Sequence, residues 1–470
     1  MTEPTWVSLL PPLLAIILAI WTRQVYLSLA AGIWLGWTIL EGWNPLAGVA
    51  RAIDETVAVL SDEGNAKVLL FTLVIGALIA TVEASNGVRG FVQRLEERNW
   101  IDSPRRARLV PFIVGFVIFI ESNITVLVAG AIGRPLFDRF RVSREKLAYI
   151  IDSTSAPICI LIPLNAWGAY VLGILATLGV EQPLQVFFAT IPLNFYAIAA
   201  VLLAAATAVT GLDLGPMKRA EQRTREGKLL WDDANPLVDP DVLSPAGSES
   251  IPARARNMLI PIAAMVVMMP IALLITGGGD LRAGSGATSV LWSVLFGLGV
   301  AWVLLLAQRA YTIDELMRLA LKGAGGLMSL ALVLLLALSL AAVANALGTG
   351  AFVARIAADV LPPVVFLPLV FGVAAFVAFS TGTSWGTFAI MLPLAVPVAT
   401  TLGLPVAPFV AASLSGGVFG DHASPISDTT IISSMASATD HIDHVRTQLP
   451  YALTAGGVAV VAFAIAGALL

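Results

Sequence analysis

The sequence predicts an all-α polytopic membrane protein. It is expected to form an inverted structural repeat with about ten transmembrane helices, two re-entrant hairpins and two broken helices. Three observations predict this. The 470 residues are 58% hydrophobic and only 12% charged, where soluble domains carry about 25% charge. Apolar runs of roughly 18–25 residues recur, each long enough to cross a bilayer. The order of runs and polar interruptions is the same on both sides of one long polar stretch.

Residues 7–21 and 25–42 read as two helices joined by a tight turn at Arg23. The first has no basic n-region and no small-residue cleavage site before it, so a retained span is expected rather than a signal peptide. A third span covers 68–85. Trp6, Trp21, Trp43 and Trp100 fall at span ends, as interfacial anchors do. A basic loop follows with Arg89, Arg94, Arg98, Arg105, Arg106 and Arg108, and a second carries Arg134, Arg139, Arg141, Arg144 and Lys146. Cytoplasmic loops hold the excess of Lys and Arg, which places both loops inside. Residues 109–133 lie between them and must enter and leave on one side. A re-entrant hairpin with its tip near Glu121-Ser122-Asn123 satisfies this. Residues 147–178 are apolar but broken by Asp152-Ser153-Thr154-Ser155-Ala156-Pro157, and 185–211 cross again.

Residues 212–257 are polar, and their Pro/Asp/Ser-rich middle reads as a cytoplasmic linker. It separates a first repeat, 1–211, from a second, 258–470. In the second, spans fall at 258–276, 289–307 and 324–347. A hairpin near 362–400 is interrupted by Ser380–Thr387, a broken span covers 405–440 and a closing span 449–470. Five crossings per half is an odd number, so the second half is expected upside down relative to the first. Arg282 then falls outside, as do both termini, while Arg309, Arg318, Lys322 and the run His441–Arg446 fall inside.

The chemistry concentrates in Gly416–Thr430, where Asp421, His422, Ser424, Pro425 and Asp428 lie between apolar spans. Ionisable groups at membrane depth are expensive and mark an ion or substrate path. Gly and Pro weaken the helix there, and a broken helix frees carbonyls that coordinate a small cation. Asp152 and Asp421 share a context, each four or five residues ahead of a proline, and both are candidate Na⁺ ligands. Burial disfavours an ionised carboxylate and a bound cation favours it. One site then holds a proton or a sodium ion, and that competition is antiport. The other reading is a carboxylate capping a half-helix; pairing is disfavoured because Lys and Arg are nearly absent from these segments.

Glu121, Asn123, Ser155, Ser424, Asp428, Thr381 and Thr383 complete the candidate ion- or substrate-binding set. Each has a local alternative. Glu121 could be a tip residue held by amides, Asn123 a tip cap, and Asp428 a partner of a helix N-terminus. The hydroxyls could bond their own helix backbone. His422 is read as a proton shuttle or a hydrogen-bonded neighbour. His441 and His444 are read as structural anchors or pH sensors in preference to a metal site. The lone Cys159 excludes an intramolecular disulfide and a cysteine metal cluster, and oxygen donors suit sodium better than softer metals. No cofactor is expected; Na⁺ and H⁺ are the transported ions.

The run Gly420-Asp421-His422-Ala423-Ser424-Pro425-Ile426-Ser427-Asp428-Thr429-Thr430-Ile431-Ile432-Ser433-Ser434-Met435, followed by Asp440–Tyr451, resembles the signature of the NhaC-type sodium/proton antiporter family. Ser380–Thr387, Ser143–Pro157 and Trp167-Gly168-Ala169-Tyr170 agree with it. The resemblance implies a sodium-coupled secondary carrier with paired hairpins, elevator-like movement and often a homodimeric state. One departure stands out. Many relatives have adjacent aspartates ahead of the first hairpin's asparagine, whereas Phe119-Ile120-Glu121-Ser122-Asn123 has one acid. The family also includes carriers resembling malate–lactate exchangers and amino-acid transporters.

Na⁺/H⁺ exchange across a bacterial-type inner membrane is therefore expected. The alternative is a Na⁺- or H⁺-coupled carrier of a small organic anion or amino acid. An intramembrane aspartyl protease would need Tyr-Asp and Gly-x-Gly-Asp, but Asp152 follows Ile151 and Asp421 follows Val418-Phe419-Gly420. A channel is disfavoured because two closed hairpins suit alternating access. The expected partners are the lipid bilayer, a small inorganic cation and a second copy of the chain, with a small carboxylate or amino acid in the alternative and no nucleic acid.

Overall fold

The computed structural model describes residues 5–22, 24–96, 102–117, 119, 122–162, 165–236, 251–280, 284–349, 352 and 362–470. Of Asn123 and Asp428 it describes the backbone alone. Arg23, Arg98, Trp100, Glu121, Arg282 and the middle of the polar stretch lie outside the described residues.

The chain is a helical membrane protein. In the first half, α1 (Leu10–Thr22) and α2 (Val25–Leu40) pair antiparallel, with Gly32 tight against Pro11 and Ala15. Trp6, Trp21 and Trp43 are exposed at the ends of this pair. Then come α3 (Pro45–Ala58), α4 (Glu63–Ala84) and α5 (Gly87–Glu96). Helices α6 (Pro104–Val117) and α7 (Ser122–Arg139) are the arms of the first hairpin. Gly133 of α7 lies against Pro111 of α6, so the arms run back past each other. The first broken span comprises α8 (Arg144–Ser153), α9 (Ala156–Leu161) and α10 (Ala166–Thr177). The closing span is α11 (Pro183–Thr190) and α12 (Phe195–Thr210), and α13 (Met217–Arg225) follows.

The second half runs α14 (Arg256–Thr276), α15 (Gly286–Ala307), α16 (Ile313–Gly326) and α17 (Met328–Ala346). The second hairpin is α18 (Pro363–Thr381) and α19 (Ser384–Thr401), joined at Gly382-Thr383. The second broken span is α20 (Val406–Ala423) and α21 (Asp428–Ser437), and α22 (His441–Ala468) closes the chain. Among the described residues six helices are long and apolar enough to cross a membrane, or eight if two bent pairs each count as one span.

Three features depart from the expected plan. Residues 45–58 form a helix, started by Asn44, whose side chain accepts the N–H groups of Leu46 and Ala47. It exposes Leu46, Ile53 and Val57, as a helix lying in a membrane interface does. The run is amphipathic rather than continuously apolar, so a search for spans passes over it. The span expected at 185–211 is bent by 46° at Asn194.

The third departure lies in the polar stretch, where α13 folds back onto the start of α8. There Glu145 and Lys146 are both 0% exposed. The Arg223 guanidinium grips Glu145 with two bonds of 2.7 and 2.9 Å. Lys146 lies 2.6 Å from Asp213 and 3.2 Å from Glu221. Glu221 also accepts the Ser143 backbone N–H and hydroxyl. Arg223 stacks over Trp231, and the Asn235 N–H reaches Asp440, the residue that caps α22. Charges this deeply buried persist only when paired and hydrogen-bonded, and here the pairs themselves hold the segment in place.

Candidate functional site

Both candidate aspartates end a half-helix. Asp152 lies in the last turn of α8, where Thr154 and Ser155 leave the helical path; Ser155 has φ −99° and ψ −95°. Asp421 lies in the last turn of α20, and Ser424 is extended before Ser427 starts α21 by accepting the Thr430 N–H. The C-terminal end of a helix carries partial negative charge, so each carboxylate stands where a cation is already favoured.

The hairpins press on these breaks through residues that leave no room for a side chain. A Cβ at Gly115 in α6 would fall 2.4 Å from the Thr154 hydroxyl. Gly382, at the turn of the second hairpin, has φ +70°, and a Cβ there would fall 2.4 Å from the Ile426 carbonyl. Glycine alone meets both demands, a left-handed backbone and a backbone neighbour. Gly416 and Gly420 let α20 approach the Phe371 and Ala375 carbonyls of α18.

Asp152 is 1% exposed. Its Oδ2 accepts the Gln448 amide at 2.7 Å and the Thr430 hydroxyl at 3.2 Å. The Nε2 atoms of His422 and His444 lie 3.9 and 4.0 Å from the same oxygen. Its Oδ1 is buried and makes no hydrogen bond among the described residues. Asp421 is 2% exposed, and its Oδ2 accepts the Ser384 hydroxyl at 2.5 Å from the first turn of α19. Both carboxylates lie within electrostatic reach of the Tyr196 phenol.

His422 joins the two breaks. Its Nδ1 is 2.6 Å from the Tyr196 hydroxyl and its Nε2 3.2 Å from the Ser153 hydroxyl. The Gln448 amide that bonds Asp152 also donates to the His422 carbonyl at 2.7 Å. His441 and His444 share the Ser434 hydroxyl at 3.0 and 2.9 Å. His441 Nε2–H donates to the Pro425 carbonyl at 2.6 Å, and His444 Nε2–H to Gln448 Oε1 at 2.9 Å. These rings lace α22 to the α20–α21 break. Among the described residues no group of three or more His, Cys, Asp or Glu is placed to hold a metal ion.

The other candidates are distributed unevenly. Ser155 Oγ donates to the Asp152 carbonyl at 2.7 Å, and Ser424 Oγ reaches across to the Phe379 carbonyl of the second hairpin at 2.7 Å. Thr381 Oγ1 bonds the Val377 carbonyl of its own helix at 2.9 Å. Thr383 is the extended residue before α19, and its side chain caps nothing. Asp428 opens α21, Asn123 lies in the first turn of α7, and Glu121 is outside the described residues.

Gln448, Ser384, Thr430, Ser153 and Tyr196 were not among the candidates. Gln448 had a signal: it stands four residues after His444, on the same helix face. Ser384 directly follows the Gly382-Thr383 turn. Tyr196, at the start of an apolar run, had none.

Paired hairpins, interrupted helices and carboxylates at their ends define a membrane carrier. Residues 169–468 match the Na⁺/H⁺ antiporter family, and the chain belongs to that family. It is 34% identical to an uncharacterized protein of Haemophilus influenzae over 98% of this chain and 90% of that protein. It is 29% identical to the arginine/ornithine antiporter ArcD of Halobacterium salinarum over 44% of this chain and 41% of that protein. It is 32% identical to the malate-2H(+)/Na(+)-lactate antiporter of Bacillus subtilis over 23% of each. Two solved structures share the fold at 14% identity. The Alcanivorax borkumensis YdaH transporter has a TM-score of 0.55 over 89% of this chain and 88% of that one. Neisseria gonorrhoeae MtrF has a TM-score of 0.59 over 89% and 84%. The protein is a secondary transporter working by antiport, not an enzyme.

Proposed function

We propose that the protein exchanges Na⁺ for H⁺ by alternating access, with Asp152 and Asp421 each holding one ion or the other. The observation that carries this is the setting of Asp152. It is buried, and among the described residues its ion-pair neighbours are imidazoles rather than Lys or Arg and one of its oxygens has no hydrogen-bond partner. An ionised carboxylate so placed costs several kcal/mol unless a cation accompanies it. Na⁺ and H⁺ both serve, and they exclude each other. The hairpins and broken helices form the unit that carries the ions, in an elevator-like movement, in a homodimer. The Arg-rich loops support a cytoplasmic polar stretch and external termini.

The test is Na⁺-induced dissipation of a pH gradient in everted vesicles. Asp421→Asn is expected to insert normally and abolish the response; a normal response in that variant removes Asp421 from the mechanism.

A second reading, coupled carriage of a small carboxylate or amino acid, is favoured by the names of the two partial relatives. Na⁺ flux that depends on such a solute would support it, and flux without any organic solute favours simple exchange.

A further inference from the structure

Helices α14 and α15 pack side by side, with Gly297 of α15 against Met265 and the Pro261 carbonyl of α14. Beside that contact a groove of about 520 Å³ opens on the flank of the bundle. It is lined by Ile260 of α14 and, on α15, by Phe296, Gly299, Val300, Val303 and Ala307 among others, all of them apolar. The α15 residues recur three and four apart and so share one helix face. Phe296 and Val303 are 49% and 67% exposed, and a Cβ on Gly299 would meet nothing within 4 Å. Gly299 is therefore a notch between two protruding side chains.

The groove has a direction and a length. From Phe296 to Ala307 it runs about 16 Å along the helix axis, close to the depth of one leaflet's hydrocarbon, about 15 Å. It ends where charge begins. Arg256 stands one turn before Ile260 on the same face of α14, Arg309 closely follows Ala307, and both are exposed. Among the described residues neither forms an ion pair. Arg254 Nη1 donates to Gln308 Oε1 at 2.8 Å, and Gln308 Nε2 donates to Asn257 Oδ1 at 2.8 Å, which ties the two helix ends together at the mouth. The acids nearest Arg309 along the chain, Asp314 and Glu315, open α16, and Glu315 is engaged by the Thr312 N–H and hydroxyl.

We propose that this groove holds one anionic phospholipid, with an acyl chain laid over Gly299 and the headgroup phosphate on Arg256 and Arg309. Basic groups at the ends of membrane helices attract anionic headgroups, and a guanidinium matches phosphate in a two-pronged fork. A second copy of the chain fits this face less well. A two-fold axis along the membrane normal sets each end of a face against its own counterpart, which brings Arg256 and Arg309 against the same two arginines. An anionic lipid neutralises them instead. Neither helix carries Asp152 or Asp421, so lipid occupancy can be measured apart from ion exchange.

The experiment is native mass spectrometry of the purified, delipidated full-length protein, titrated with phosphatidylglycerol or with phosphatidylethanolamine of identical chains. The first phosphatidylglycerol is expected to bind about tenfold more tightly. Replacing both arginines, Arg256→Gln with Arg309→Gln, is expected to remove that preference, at about fivefold per arginine. Gly299→Phe is expected to weaken both lipids, because its ring takes the place of the chain. An unfolding temperature equal to wild type in lipid-free detergent shows that this variant is folded. Val303→Trp fills the same groove from an exposed position and replaces it if it is not. Equal affinity of the wild-type protein for the two lipids overturns the proposal, as does undiminished phosphatidylglycerol binding in a folded groove-filling variant. Conversion of a dimer into monomers by Gly299→Phe, with lipid binding retained, gives the groove to a second copy and overturns it too.

Discussion

The two broken spans follow one plan but are held by different forces. Helix α8 is ten residues long, and its start is locked by buried charges contributed by residues 213–223. Helix α20 is eighteen residues long and is held by close approach, with Gly416 and Gly420 against the backbone of α18. The carboxylates differ in the same way. Asp152 has polar partners from the second half of the chain, Thr430 and Gln448, whereas Asp421 takes its hydroxyl from Ser384 at the adjacent hairpin turn. A repeated architecture therefore does not require repeated energetics. Polar locking and backbone packing both place an acid at a helix end.

Breaking each lock in turn sharpens this contrast. Lys146→Met strands Asp213 and Glu221 against each other, and losing one member of a buried pair costs about 3–5 kcal/mol. A large fall in the thermal unfolding temperature is expected; an unchanged temperature would mean the cluster does not hold α8. Gly420→Ala is the matching lesion in α20. Its Cβ would fall 2.1 Å from the Ala375 carbonyl, and overpacking of this kind costs about 1–3 kcal/mol. A smaller loss of stability is expected, and wild-type stability would refute packing as the lock. The smallest effects belong to the donors. Gln448→Leu removes the bonds to Asp152 and to the His422 carbonyl and is expected to slow exchange about tenfold, in the range of a lost charged hydrogen bond. Ser384→Ala removes one bond to a carboxylate, with a long contact of 3.4 Å to the Gly417 carbonyl, and is expected to slow it less. Equal rates in the two variants would erase the distinction drawn between the carboxylates.

Much of the fold was legible in the sequence because hydrocarbon thickness sets the length of an apolar run, and a polar interruption within such a run has few explanations. The second hairpin turn at Gly382 and the breaks after Asp152 and Asp421 were found that way. What escaped depends on partners far along the chain. The segment around Glu221 has the composition of a linker, and Ser143, Glu145 and Lys146, over 70 residues earlier, make its burial tolerable. The bend at Asn194 sits in a run that is apolar on both sides, and one asparagine with one proline there does not announce a corner. Tyr196 enters the site because that corner aims it at His422, a direction no spacing rule contains.

The folded-back segment has a consequence for how the molecule can move. It fastens to the beginning of α8 through Glu221 and Arg223 and to the cap of α22 through Asn235, while Arg144 bonds the Ala438 carbonyl just beyond α21. A strap fixed at both ends thus ties the helix that ends at Asp152 to the start of α22, whose Gln448 bonds both Asp152 and the His422 carbonyl. Under the exchange proposed above, these elements would move as one body.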